Sequence, residues 1–193
     1  MAPSRALLAG LAAAVSLAGG VANAGPLSAC VWSKLPAAEQ AKTLAAYRQN
    51  MAAGATVLDR LGGKLKAATK ACAKRGDVPP DWVSTIAGSE AVQTTMAAAL
   101  QAEKRLDRPR LDAAWAAAPA NVLACFRATG RLAFFPNGTG CADPIAAAWL
   151  LKRLGLDRSQ QPAAQQAIYY FNAKAIGEWG DQLVARLPPK PKR

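Results

Sequence analysis

Apolar residues recur every third or fourth position through residues 44–72 without a gap. The stripe consists of Leu44, Tyr47, Met51, Gly54, Leu58, Leu61, Leu65, Ala68 and Cys72. This spacing is typical of one face of an α-helix, or of two helices in near-register. Glycines interrupt the segment at Gly54, Gly62 and Gly63, and each costs roughly 1 kcal/mol of helix propensity relative to alanine. A break near Gly54 would create an antiparallel hairpin, whereas an unbroken helix would hold its two ends apart.

Helical patterning continues through the rest of the chain. The sequence is dense in Ala, Leu, Gln, Lys and Arg, and it lacks the alternating runs of β-branched residues that are typical of strands. Prolines that mark helix starts are Pro36, Pro80, Pro109, Pro119, Pro144 and Pro162. Further helices are expected at about 80–105, 110–118, 120–129, 144–155 and 162–187, the fourth capped by Asp143. We therefore predict an all-α protein, a compact helical bundle of about five to seven helices.

The first 24 residues have the three parts of a secretory signal peptide. One cation, Arg5, precedes an apolar run over residues 6–21 and the small-residue box Ala22-Asn23-Ala24. The run is shorter than the ~20 residues of a membrane-spanning helix, so we expect cleavage after Ala24 and no transmembrane span in the mature chain. The prediction is an exported protein, periplasmic or secreted and of bacterial type. Residues 25–187 would form a single helical domain, and residues 188–193 a disordered, basic, proline-rich tail.

All four cysteines follow the signal segment, and in an exported domain they are expected to form two disulfides. Three pairings are possible, and no pair has the spacing of a redox or zinc motif. Cys125 and Cys141 are closest, with a turn-rich stretch between them. This favours Cys125–Cys141 together with Cys30–Cys72, and the second bond requires the hairpin.

A competing interpretation concerns the segment around Cys30. Leu27-Ser28-Ala29-Cys30 resembles the lipobox of bacterial lipoproteins, although residues 22–26 separate it from the apolar run. The resemblance implies that Cys30 carries a lipid and that the protein is an anchored envelope protein. It also implies an odd number of remaining cysteines.

The chain is strongly basic, with 24 Lys and Arg against 12 Asp and Glu and a net charge of +12. Lys66, Lys70 and Lys74 follow one another at intervals of four, so on a helix they share one face, with Arg75 beside them. Such a face fits an anionic envelope polymer or membrane headgroups, or is simply solvated. Export argues against nucleic acid as the partner. The leading hypothesis is a non-enzymatic envelope or secreted binding or structural protein.

Catalytic chemistry has little support in the sequence. The chain contains no histidine, which removes the commonest general base and metal ligand. Motifs for phosphate loops, dinucleotides, calcium or zinc are missing, so no cofactor or metal is expected. The enzymatic alternative is a Glu-dependent peptidoglycan-cleaving enzyme with Glu90 as general acid, protonated because it lies near an apolar helix face. The Glu-Ser pair of lytic transglycosylases is absent. Otherwise Glu90 is a structural residue bonded to a neighbour such as Gln93 or a lysine.

Overall fold

The computed structural model describes residues 27–141, 144–157 and 159–189, and in these residues the regular secondary structure is entirely α-helical. This confirms the all-α prediction, although the described residues form nine helices rather than five to seven. The helices are α1 (Leu27–Ser33), α2 (Ala37–Gln49), α3 (Met51–Asp59), α4 (Gly62–Cys72), α5 (Pro80–Lys104), α6 (Arg108–Ala116), α7 (Ala120–Leu132), α8 (Pro144–Arg153) and α9 (Gln161–Ala185). The predicted signal peptide (1–24), the proposed cap Asp143 and residues 190–193 lie outside the described residues.

The higher count arises partly because the apolar stripe of residues 44–72 is divided among three helices. The first break lies at Asn50, whose backbone is extended and whose side-chain oxygen accepts a hydrogen bond from the N–H of Ala53 at 2.8 Å. The second break lies at residues 60–61. The break expected near Gly54 lies four residues earlier, at Asn50, and Gly54 itself lies inside α3. A β-carbon there would overlap the ring of Tyr47, so this glycine permits close packing of α3 on α2.

Two 25-residue helices, α5 and α9, form the centre of the fold. Small residues let them approach closely: a β-carbon on Gly180 would lie 2.8 Å from the side chain of Ile86. The N-terminal half of α5 packs with α1–α4 around one apolar cluster, and its C-terminal half packs with α6–α9 around another. Met51 and Val92 contact both clusters, so they mark the junction between the two parts of the core.

Both predicted disulfides are present. Cys30 of α1 is bonded to Cys72 at the end of α4, and their Cα atoms are 5.9 Å apart. Cys125 of α7 is bonded to Cys141, with a Cα separation of 4.8 Å. A sulfur atom in a disulfide has no free thiol to carry a lipid, so the Cys30–Cys72 bond and lipidation of Cys30 exclude each other.

The end of the described chain returns to the loop after α4. The N–H of Gly76 donates to the carbonyl of Pro188 at 2.9 Å, and Arg75 forms an isolated antiparallel bridge with Pro189. The first two residues of the predicted tail are thus bonded to this loop. Across the described residues, no helix combines the length and apolar character needed to cross a bilayer.

Candidate functional site

The four basic residues singled out from the sequence, Lys66, Lys70, Lys74 and Arg75, are all exposed. We call them the α4 basic surface. Lys66 and Lys70 lie on α4. The helix ends at Cys72 and the backbone of Ala73 is extended, so the prediction that Lys74 shares a helical face with them is wrong. The physical reason is local: Cys72 is tied to α1, and Ala73 is buried against Ile86 and Val184. Lys74 and Arg75 therefore extend the cationic surface along the loop.

Charge is distributed unevenly along the chain. Residues 27–78 carry nine basic and three acidic side chains, whereas residues 79–189 carry eleven basic and nine acidic ones. Among the described residues, the salt bridges are Lys64–Glu39, Arg108–Glu90, Arg127–Glu178 and Lys174–Asp112. Only the Lys64–Glu39 salt bridge involves residues before position 79. Lys66, Lys74 and Arg75 therefore form no salt bridge with a carboxylate among the described residues. The excess positive charge thus resides mainly with α1–α4.

A small cavity lies beside the α4 basic surface. It has a volume of about 360 Å³, and Lys66, Thr69 and Lys70 of α4 line it opposite residues 76–78. Thr69 is only 2% exposed, yet its hydroxyl forms no hydrogen bond with any described residue. Lysine ammonium groups and a free hydroxyl suit a single anionic group, while the carboxylate of Asp77 at the same cavity limits the charge it can hold. Sequence reasoning identified the lysines but missed Thr69.

Glu90 is buried, as its predicted position near an apolar helix face suggests, but its carboxylate is bound by a cation. The guanidinium of Arg108 donates to both carboxylate oxygens, at 2.5 and 3.0 Å, and the hydroxyl of Thr94 lies at 3.5 Å. The hydrogen bond with Glu90 raises the pKa of Arg108 above its usual range. Both carboxylate oxygens are occupied by the Arg108 guanidinium, so the geometry favours a structural ion pair over a general acid. Gln93 instead donates to the carbonyl of Ser89.

Further polar contacts join the helices around this ion pair. Asp112 of α6 accepts hydrogen bonds from the Tyr170 hydroxyl at 2.8 Å and the Lys174 ammonium at 2.7 Å. Burial, and then the bond to Asp112, raises the pKa of the Tyr170 hydroxyl well above its usual range. Glu178 of α9 accepts from the Trp115 indole at 2.6 Å and from Arg127 at 3.0 Å. These carboxylates are satisfied by neighbouring helices, which is typical of a structural network.

Metal binding finds no support in the described residues. They contain no group of three or more Cys, Asp or Glu side chains placed to hold an ion, and the sequence supplies no histidine. The four cysteine sulfurs are all used in disulfides.

Asp181 of α9 is partly buried, and its hydrogen bond comes from a neutral donor rather than from a cation. It accepts from the backbone N–H of Leu27 at 2.7 Å, and burial raises its pKa to about 6, above the ordinary value of 3.8. The folded chain thus binds the proton of the Asp181 carboxyl group more tightly than the unfolded chain does. Ionisation of Asp181 therefore lowers stability as the pH rises from about 4 to 6.

Asp181→Asn should consequently raise the free energy of unfolding at neutral pH. Asparagine keeps an acceptor for the Leu27 N–H but removes the buried charge. The full pKa difference corresponds to about 3 kcal/mol, and solvent contact reduces the expected gain to about 1–2 kcal/mol. Urea unfolding of both proteins at a series of pH values measures this gain in the free energy of unfolding. The gain should vanish below about pH 4, and a gain that is independent of pH would contradict the assignment. Asp77→Asn, at an exposed carboxylate, is the control.

The chain matches no protein-family model, and neither curated proteins nor solved structures show significant similarity to it. The function is therefore inferred from the residues and their arrangement.

Proposed function

We propose that this is an exported, non-enzymatic binding protein whose α4 basic surface contacts an anionic envelope polymer or anionic membrane headgroups. The observation that carries the proposal is the concentration of positive charge on α1–α4. Residues 27–78 have a threefold excess of basic over acidic side chains, and the rest of the described chain is nearly balanced. Two disulfides support export, because such bonds persist in oxidising compartments.

The arrangement of the surface supports binding through several simultaneous contacts. Lys66, Lys74 and Arg75 are exposed and lack carboxylate partners among the described residues, so contact with an anion breaks no salt bridge. The bridge between Arg75 and Pro189 brings the chain to this surface just before residues 190–193, three of which are basic. The Cys30–Cys72 disulfide fixes α4 against α1 and so keeps the cations together. Association driven in this way weakens as salt screens the charges.

The test is binding to phosphatidylglycerol vesicles at increasing ionic strength, with a matched pair of variants. Lys66→Gln/Arg75→Gln removes one lysine and one arginine from the α4 basic surface, and Lys152→Gln/Arg153→Gln removes the same charges from exposed positions on α8. At about 1 kcal/mol for each cation near an anionic surface, the first variant should bind about 30-fold more weakly at low salt. The second should stay within about twofold of the unmodified protein, since its cations lie outside the proposed surface.

Two results would overturn the proposal. Equal losses in the two variants would mean that net charge alone governs association. Binding that does not change with salt would mean that electrostatic attraction is not the driving force. Soluble polyanions, tested in the same way, distinguish a polymer partner from a membrane partner.

A further inference from the structure

A second cavity lies at the junction of the two apolar clusters, and it shares no lining residue with the α4 basic surface. Its volume is about 420 Å³, within the range of small-molecule sites. Four helices form it: α2 through Tyr47, α3 through Met51 and Leu58, α5 through residues 84–92, and α9 through residues 169–176. The α5 wall alone is about 12 Å long.

The walls of this cavity are mostly apolar and incompletely covered. Met51, Val92 and Ile176 line it, and each is only partly buried, although each packs against a core cluster. Apolar side chains that remain in contact with water beside a concave surface favour an apolar ligand, because its binding removes that surface from water. The shape and composition therefore fit the apolar body of a small molecule.

One polar group at the cavity has no hydrogen-bond partner among the described residues. The side chain of Tyr47 is 6% exposed, and its hydroxyl forms no hydrogen bond with any described residue. Its position is fixed from two sides: Gly54 accommodates the ring, and a β-carbon on Gly88 would lie 3.3 Å from the hydroxyl oxygen. Burial raises the pKa of Tyr47 to about 12, with a further contribution from Asp59. The hydroxyl is thus neutral near pH 7, and its oxygen can accept a hydrogen bond from a ligand.

The charge around this cavity is opposite to that of the protein as a whole. Its described lining contains no lysine or arginine, and its only charged member is Asp59, at the exposed end of α3. Asp59 forms no salt bridge within the described ranges. The rings of Tyr47 and Tyr169 also line the cavity. A carboxylate near the Tyr47 ring attracts an ammonium group and repels an anion.

We propose that the cavity between α3, α5 and α9 binds one small amphipathic molecule that ends in an ammonium group. Its apolar body contacts Met51, Val92 and Ile176. Its ammonium group is directed to the Asp59 carboxylate and donates a hydrogen bond to the Tyr47 hydroxyl oxygen. The site shares no lining residue with the α4 basic surface and selects the opposite charge, so the proposal does not depend on an anionic partner for that surface.

The experiment compares three probes of equal chain length, decylammonium, decanol and decanoate, below their micelle concentrations. Chemical-shift titration of the full chain follows the resonances of Tyr47, Asn172 and Ile176, so that probe bound to the α4 basic surface is not counted. Decylammonium should bind most tightly and decanoate at least about tenfold more weakly, because the ammonium gains and the carboxylate loses by contact with Asp59. Asp59→Asn should reduce the preference for decylammonium over decanol by about threefold or more. Asp77→Asn, away from this cavity, should leave that preference unchanged.

Filling the cavity provides the steric test. Ala55 lines it from an exposed position on α3, and Ala55→Trp should weaken binding of every probe by at least about tenfold. Ser84→Trp repeats the test from the α5 wall if the first variant fails to fold. The proposal is overturned if decanoate shifts the cavity resonances as strongly as decylammonium, if a folded tryptophan variant binds normally, or if no probe shifts those resonances.

Discussion

Replacing both cysteines of the Cys30–Cys72 disulfide by alanine should lower the free energy of unfolding by about 4 kcal/mol. The bond closes a loop with a sequence separation of 42 residues, and loss of that constraint increases the entropy of the unfolded chain. The Cys125–Cys141 loop has a separation of 16, so the corresponding double variant should lose about 3 kcal/mol. Each loss is a large fraction of the 5–15 kcal/mol that is usual for a domain.

Urea unfolding followed by tryptophan fluorescence measures both losses. The two double variants are controls for each other. Each removes two half-buried sulfur atoms, and the two disulfides differ chiefly in the length of the loop that they close. A smaller loss for the longer loop would contradict this explanation. Loss of Cys30–Cys72 also frees α4 from α1, so this variant should bind anionic vesicles more weakly as well.

Arg108→Met should lower the free energy of unfolding by about 3 kcal/mol, because it leaves the Glu90 carboxylate buried without its cation. The side chain of Arg108 is 39% exposed, so water can partly solvate the abandoned carboxylate. The expected cost therefore lies at the lower end of the usual range of 3–5 kcal/mol.

A double-mutant cycle isolates the contribution of this pair. Glu90→Gln/Arg108→Met removes both charges, and the double variant should be more stable than Arg108→Met alone by about 1–2 kcal/mol. If the two substitutions simply add, Glu90 and Arg108 are not coupled and the structural assignment of Glu90 fails. Chemical denaturation of all four proteins provides the comparison.

The sequence predicts the long helices well, where proline sets their starts. Pro80 opens α5 as expected, and the predicted end at 105 lies one residue beyond the observed end. The divisions within residues 44–72 were not predictable from periodicity, because the apolar spacing continues across both breaks. Asn50 was the available signal for the first break, since its side chain caps α3. Neither glycine nor asparagine marks the end of α4, so Lys74 was placed on the helix.

Most features of the sites that the sequence did not indicate depend on contacts between residues that are far apart in the chain. Glu90 and Arg108 are 18 residues apart and on different helices, so local spacing suggested Gln93 or a lysine instead. The cavity with Tyr47 is lined by α2, α3, α5 and α9, and α5 and α9 are distant in sequence from the other two helices and from each other. By contrast, Tyr169, Tyr170 and Phe171 are adjacent on one helix and together cover more than half of its circumference, so their sequence alone predicts that at least one ring is exposed or faces a second element. Tyr170 and Phe171 are fully buried, and Tyr169 lines the cavity.

The central claim is that the cations around α4 form a binding surface, and lysine footprinting tests it most directly. The rate at which an amine-reactive reagent modifies each lysine is measured with and without phosphatidylglycerol vesicles at low salt. We expect slower modification of Lys66, Lys70 and Lys74, and unchanged rates at Lys104 and Lys152, which are exposed on the other part of the fold. Equal protection of all these lysines, or protection confined to Lys104 and Lys152, would contradict the claim.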